Sequence, residues 1–433
     1  MLKRLSRLAG RTFIVYLGEK SKRAAAGYLL KALFLRFSFY IRRAFAFFIF
    51  LRFSRPASQS QRLTMIRAEG KIAVGVMVGG GVGDMIVIAR CLRDLAANVE
   101  PFSFDVFAPQ PDLARWIFAA IPNFGEAHPD LLEGIAGREY DIWLRCHQLL
   151  IVHWETARWA QLRKVPRLAA VLSKIERSRQ RDGLDPYIQY HPRLDNGLAR
   201  KAVYANRSRI DYLHAIAGLS YGGHALPLAA DDTALVRHGL AGRDFVTIHN
   251  GFDANFSIAS RRATKCYPHF AEVIALIKAK QPDIFIVQIG TTTSEPIPGV
   301  DLDLINQTSL REVAGLLRET KLHIDNEGGL VHLAACYGRR SLVVFGPTPS
   351  DYFGYKENIN IDPVRCGGCW WIDEFWMERC PRGMAQSECM FAQPPERIAA
   401  EALAALQPNL ASTLRRVAVV GESAESAAQR ASG

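Results

Sequence analysis

The feature that most constrains this chain is a strand, glycine loop and helix beginning at Lys71, followed by a second alternating series from Asp244. Ile72 to Val78 is a short run rich in β-branched residues. Gly79-Gly80-Gly81-Val82-Gly83-Asp84 follows directly, and a helical stretch runs from Met85 to Ala97. Apolar runs of strand length alternating with helical patterns imply βαβ units and a parallel sheet. Further strands are expected at Phe102–Phe107 and Tyr140–Leu144, with a helix from about Asp112 to Ile121. The pattern blurs from about 150 to 230, where helices dominate. The second series has strands at Phe245–His249, Ile284–Ile289, Leu322–Asp325 and Ser341–Phe345, and helices at His269–Lys280, Leu310–Glu319 and Leu330–Tyr337. The fold class is therefore α/β, with two Rossmann-like domains facing a cleft. Pro394-Pro395 opens a last helix that runs to Leu406, with proline where a missing N–H costs least.

Charge divides the chain differently. The formal charge of +12 points to a nucleic-acid binder until it is mapped: residues 1–67 hold fifteen Lys/Arg against the single Glu19. A second basic stretch, Arg158 to Lys201, has eleven Lys/Arg and four acids, and what remains is net acidic. Basicity this local argues against a protein that coats nucleic acid. In the arm, Lys31, Arg36, Arg42, Arg43 and Arg52 interrupt the apolar stretch Tyr28 to Phe53. The charge-free run Ala44 to Leu51 is eight residues, far short of the roughly 20 that span a bilayer. Interleaved basic, aromatic and aliphatic residues fit an amphipathic helix lying on an anionic membrane surface. No secretory signal is recognised, so the cytoplasmic face is the expected side. The expected division is a basic arm at 1–70, a first domain at 71–235, a second at 236–393, a closing helix at 394–408 and a flexible tail at 409–433.

Two loops carry candidate chemistry. A dinucleotide fingerprint starting at Gly79 would need glycine at its sixth position, but Asp84 stands there and would repel a pyrophosphate. Asp105, about twenty residues on, lies inside the second strand rather than at its end. A nicotinamide enzyme is thus disfavoured and no organic cofactor is expected. Asp84 is instead a candidate working carboxylate at a helix start, beside the plainer reading of an acid that offsets the helix dipole. The second loop, Asp325-Asn326-Glu327-Gly328-Gly329-Leu330-Val331-His332, joins a strand to a helix and frees backbone N–H groups for a phosphate. Glu327 can accept from sugar hydroxyls, and His332, one turn on, can point back to the same place. Lys265 can supply positive charge to a diphosphate. The turn Phe345-Gly346-Pro347-Thr348 ends the next strand, well placed to line the cleft.

Four of eight cysteines fall close together, at Cys366, Cys369, Cys380 and Cys389, with Trp370, Trp371 and Trp376 among them. A C-x2-C pair with two later cysteines fits a structural zinc or iron site. The alternative is reduced thiols in an aromatic cluster.

Taken in order, Gly83-Asp84, His249-Asn250-Gly251, Lys265 before Tyr267-Pro268, Glu327 to His332 and Phe345-Gly346-Pro347-Thr348 resemble glycosyltransferase family 9. These are bacterial ADP-heptose-dependent heptosyltransferases with the GT-B fold, and the similarity runs over roughly residues 71–406. The resemblance implies an inverting transfer with Asp84 as general base. It implies a nucleotide-sugar site at Gly83, Asn250, Gly251, Lys265, Gly290, Glu327, Gly328, Gly329 and His332, with Lys265 also steadying the departing diphosphate. It implies a closing helix that returns toward the first domain. Some relatives carry a similar cysteine set as an iron-binding finger. The expected donor is ADP-heptose and the expected acceptor an anionic glycolipid of the lipopolysaccharide type, with a protein acceptor or a non-catalytic sugar-nucleotide binder as alternatives. The expected place is the inner face of the bacterial cytoplasmic membrane. The chain departs from the family where Glu327-Gly328 replaces Asp then Thr or Ser, and where Gly251 and Phe252 stand in place of frequent hydroxyl residues.

Overall fold

The Ile72–Val78 run forms β1, and all of it is buried except a half-buried Met77, as befits a central parallel strand covered on both faces. The structure, a computed structural model, describes residues 56–133, 139–190, 196–253, 262–373 and 375–407. Most of the basic arm expected at 1–70 and the tail expected at 409–433 lie outside the described residues.

The first sheet runs β3-β2-β1-β4-β5, with β2 at Phe102–Ala108, β3 at Phe124–Pro129, β4 at Ile142–Cys146 and β5 at Leu150–His153. It is parallel apart from β5, which pairs antiparallel with β4. The chain steps outward from β1 to β3 and then returns to the far side of β1, so the order reverses between β1 and β4. The second sheet runs β11-β10-β9-β6-β7-β8 and is parallel. Its strands are β6 Phe245–Ile248, β7 Phe285–Gly290, β8 Leu302–Ile305, β9 His323–Asn326, β10 Ser341–Val344 and β11 Ile359–Ile361. Its reversal lies between β6 and β9. Each reversal opens a crevice at the carboxyl ends of its strands, where ligands of open α/β sheets bind.

Strands β3, β5, β8 and β11 were not expected from the sequence, and all four are sheet edges. Edge strands are half-exposed, so the continuous apolar signal of the central strands is missing. The part of the arm that is described, the helix Pro56–Ala68, packs on the first domain. Leu63 and Ile66 are buried with Phe107, Tyr140 and Trp143. Arg62 pairs with buried Asp105, and Arg67 Nε lies 2.9 Å from Asp141 Oδ1. Among the described residues no helix is long and apolar enough to cross a membrane.

The halves meet through the helices that follow their glycine loops, Val82–Asn98 and Gly329–Cys336. A Cβ on residue 83 would lie 2.6 Å from His332 Cδ2 and 3.3 Å from the Gly329 Cα, so only glycine allows this approach. Arg90, fully buried, donates to the His224 carbonyl (2.7 Å), to Tyr355 Oη (2.5 Å) and to the His332 carbonyl (3.3 Å). One apolar cluster runs through both halves. The last helix, Pro395–Leu406, packs on Phe270–Lys280 of its own half. Its buried residues Ile398, Ala399 and Ala402 join Val273, Ile274 and Ile277 in one cluster, and that apolar match decides where it lies.

Candidate active site

Asp84 sits in the first turn of the helix Val82–Asn98, at the reversal between β1 and β4. Its carboxylate folds back over the loop: a Cβ on Gly80, whose φ is +93°, would lie 2.3 Å from Asp84 Oδ2. Asp84 Oδ1 accepts from Arg209 Nη2 at 2.8 Å and from Gln148 Nε2 at 3.1 Å, and His147 Nε2 lies 3.7 Å from Oδ2. Burial opposes ionisation, but His147 and Arg209 outweigh it and hold the carboxyl well below the usual carboxylate range. Asp84 is therefore an ionised, oriented acceptor whose basicity the same neighbours reduce. Arg209 is 1% exposed and its Nε and Nη1 have no hydrogen-bond partner.

Across the cleft, Lys265 Nζ donates to the Glu327 carbonyl at 2.8 Å and lies 3.3 Å from Glu327 Oε2. Burial works against the lysine's charge, yet Glu327 outweighs it and raises the pKa. The expected phosphate cation thus carries its own counter-ion. Gly328 is extended, with φ of −175°, and caps the helix that Gly329 begins.

His332 lies between the two loops. It is buried, its Nδ1 lies 2.6 Å from Tyr355 Oη, and burial together with Arg90 and Arg209 pushes its pKa down to about 3. It is a neutral strut between the halves, with one ring edge against Gly83.

Asn250 Nδ2 donates to the Glu295 carbonyl at 2.8 Å and so pins the loop after β7. Gly251 and Gly290 leave space for Ser294 and His249. Beside them is a hollow of about 130 Å³ lined by Asn250, Tyr267, Pro268, Phe270, Glu295 and Ile297. It is small next to the roughly 300–1,000 Å³ of pockets that enclose a whole ligand, so it suits one part of a larger molecule.

The cysteine segment does not assemble the expected metal site. Cys366, Cys369, Cys380 and Cys389 lie within electrostatic reach of one another. Among the described residues, however, no group of three His, Cys, Asp or Glu is arranged to hold a metal ion. Burial first, and then the neighbouring cysteines, push the thiol of Cys369 up to about 11 and that of Cys389 up to about 12. The segment does buttress the donor side. Thr264, next to Lys265, donates its N–H to the Met377 carbonyl (2.9 Å) and its hydroxyl to the Trp376 carbonyl (2.5 Å).

Sequence reasoning brought Asp84, Lys265 and the Glu327–Gly329 loop to one cleft. It missed Arg209 and the His249–Asp325 contact of 2.7 Å, whose partners are remote along the chain. Only the rule that sites form where strand order reverses could have paired the ends of β6 and β9.

Residues 248–363 match the family model "Glycosyltransferase family 9 (heptosyltransferase)". No curated protein matches the sequence. Among solved structures, the chain is similar to the iron-containing dodecameric glycosyltransferase TibC from enterotoxigenic E. coli. The two share 15% identity and a TM-score of 0.50, over 78% of this chain and 79% of that one. It also aligns with E. coli ADP-heptose LPS heptosyltransferase II at 14% identity and a TM-score of 0.47, over 77% of this chain and 98% of that one. A further structure, TibC in complex with ADP-D-β-D-heptose, aligns at 14% identity and a TM-score of 0.49, over 77% of this chain and 76% of that one. With two largely parallel sheets the chain has the GT-B fold, and the family-model match over residues 248–363 makes it a glycosyltransferase.

Proposed function

We propose that the chain is an inverting transferase that moves a heptose from ADP-heptose to a hydroxyl of an anionic envelope glycolipid. The observation that carries this reading is the meeting of the two glycine loops at Gly83 and Gly329, with an ionised Asp84 on one side and Lys265 on the other. An acceptor hydroxyl beside Asp84 gives its proton to the carboxylate as its oxygen bonds the anomeric carbon. The bond from that carbon to the diphosphate breaks, and its electron pair leaves on the phosphate oxygen. Lys265 and the N–H groups at the Gly328–Gly329 helix start stabilise that charge. ADP-heptose is the donor bound in the TibC complex, which supports the choice. A thermal-shift screen of nucleotide-sugars on the full chain tests it: the true donor at 100 times its Kd adds about 2.7 kcal/mol of stability. If UDP- or GDP-sugars stabilise and ADP-heptose does not, the donor assignment is wrong.

The acceptor side is basic. Arg163, Lys164, Arg167, Lys174 and Arg177 are exposed on the helices Trp159–Leu162 and Pro166–Arg181 or between them. Trp159, 53% exposed, stacks on Trp154 with ring centroids 5.2 Å apart. Cations beside an exposed indole suit an anionic membrane surface, each cation near it contributing about 1 kcal/mol. We therefore place the protein peripherally on the inner face of the cytoplasmic membrane, with the basic arm as a second contact. Sedimentation with anionic vesicles should be strong at low salt and largely lost at high salt. Equal sedimentation with neutral vesicles would refute it.

A further inference from the structure

Among the described residues two imidazoles stand near the Asp84 carboxylate, and the mechanism above gives a task to neither. His332 is buried, and burial together with Arg90 and Arg209 holds its pKa at about 3, so it takes up no proton at neutral pH. His147 is placed differently. It follows β4 at the carboxyl end of the first sheet, and its side chain is 29% exposed. The ring lies over the glycine loop: a Cβ on Gly79 would be 3.2 Å from His147 Cγ and 3.4 Å from Cδ2. Its backbone is fixed on both sides. The N–H donates to the Leu149 carbonyl at 3.0 Å, and the carbonyl accepts from Arg209 Nη2 at 3.0 Å.

The two oxygens of Asp84 are not equivalent. Oδ1 takes both donors, Arg209 Nη2 at 2.8 Å and Gln148 Nε2 at 3.1 Å. Oδ2 faces His147 Nε2 at 3.7 Å. One guanidinium nitrogen thus holds both the carboxylate and the backbone that carries the imidazole. The gap is wider than a hydrogen bond, as catalytic contacts often are before substrate tightens them.

A proton that stayed on Asp84 would disturb this arrangement. Arg209 is 1% exposed, and neutralising its carboxylate would leave a buried guanidinium without a counter-ion, its Nε and Nη1 already lacking partners. Burial opposes ionisation of Asp84, but His147 and Arg209 outweigh it, so the protonated carboxyl is a strong acid. A base beside Oδ2 that takes the proton onward keeps the buried pair charged. It also moves the new positive charge to a ring that solvent reaches. Resting on the transferase reading, we infer that His147 is a proton relay, receiving from Asp84 the proton that the acceptor hydroxyl gives up. The acceptor oxygen bonds the anomeric carbon as its proton passes to Asp84 Oδ2. The bond from that carbon to the phosphate oxygen breaks, and its electron pair leaves on that oxygen. The proton moves on from Oδ2 to the lone pair of His147 Nε2, in the tautomer with hydrogen on Nδ1. The resulting imidazolium, beside a restored carboxylate, loses one proton to water and is neutral again.

The test follows ADP release from ADP-heptose by the full chain, with and without heptose-free lipopolysaccharide, so that transfer to water counts if this glycolipid is refused. Wild type, His147→Ala and His147→Gln are compared, with donor titration and thermal melting of the same preparations. His147→Ala is expected to lose about 100-fold in turnover, the lower end of what a positioned acid–base group contributes, with donor affinity unchanged. Imidazoles added to His147→Ala restore part of the loss, and among imidazoles of one size the more basic restore more. A ring that served only as a spacer would be replaced equally well by any imidazole that fits. His147→Gln keeps a polar side chain but cannot carry the proton, and it shows the same loss. Near-normal turnover in either folded variant overturns the relay. So does a loss in His147→Ala that added imidazoles leave in place or relieve without regard to basicity. Should His147→Ala fail to fold, His147→Gln decides by turnover against donor affinity. If the wild type releases no nucleotide from ADP-, UDP- or GDP-sugars, the transferase reading falls and the relay with it. Wild-type release that the His147 variants match defeats the relay alone.

Discussion

Asp84→Asn is expected to lower transfer turnover by about 10²–10⁴-fold with donor affinity unchanged. Asparagine keeps an oxygen to accept from Arg209 Nη2 and Gln148 Nε2, the two donors that orient the carboxylate, but it cannot take the acceptor's proton. A smaller effect on stability accompanies this. The folded-state pKa of Asp84 lies below the unfolded value. Its contribution is therefore complete above the ordinary carboxylate range and is lost as pH falls toward the folded value. At neutral pH the variant loses that contribution at every temperature. Steady-state transfer, donor titration and thermal melting of the same preparation separate the two effects. Near-normal turnover in a folded Asp84→Asn protein would remove Asp84 as the base.

How far this carboxylate was legible in the sequence is instructive. Its loop could be read because a β-branched run, four glycines and a helical pattern follow without a break, and local periodicity is what sequence shows best. Arg209 could not be read. It comes from the helix-rich region where the strand pattern fades, 125 residues from Asp84, and nothing local distinguishes it from the other arginines there. His249 and Asp325, 76 residues apart, are joined only by the order of strands in the second sheet. The four edge strands were illegible for a different reason: half of each faces away from the core, so composition there is mixed. The cysteines show the opposite failure. Spacing drew attention to them, but spacing does not fix where sulfurs point. In the fold Cys389 is turned inward against Gly346, where a Cβ would lie 3.3 Å from its Sγ.

The second large effect is expected at Lys265, and it has two parts that one double variant separates. Lys265 and Glu327 are each 13% exposed, so removing the lysine leaves a mostly buried carboxylate without its cation. Breaking such a pair costs about 3–5 kcal/mol, and Lys265→Ala should melt correspondingly lower. It should also lose donor affinity, because the cation for the diphosphate is gone. Adding Glu327→Gln removes the stranded charge. The double variant is expected to regain most of the melting temperature while donor affinity stays low. Recovery of both would make the pair purely structural; recovery of neither would mean that Glu327 itself holds the donor.

The Arg90 contacts bear on how this chain can be handled and how it can evolve. By topology there are two halves, each with its own sheet. Yet Arg90 of the first half finds its hydroxyl partner, Tyr355, in the second, and the helix Val82–Asn98 has its apolar side against Gly329–Cys336. Cut between the sheets, the first half would carry a guanidinium stripped of that partner beside a newly wetted apolar face, and the second would lose the cover of its glycine-loop helix. The donor half is thus not a cassette that can be exchanged between scaffolds. Recombination near the domain boundary would have to bring both helices along, so the two halves are bound to vary together.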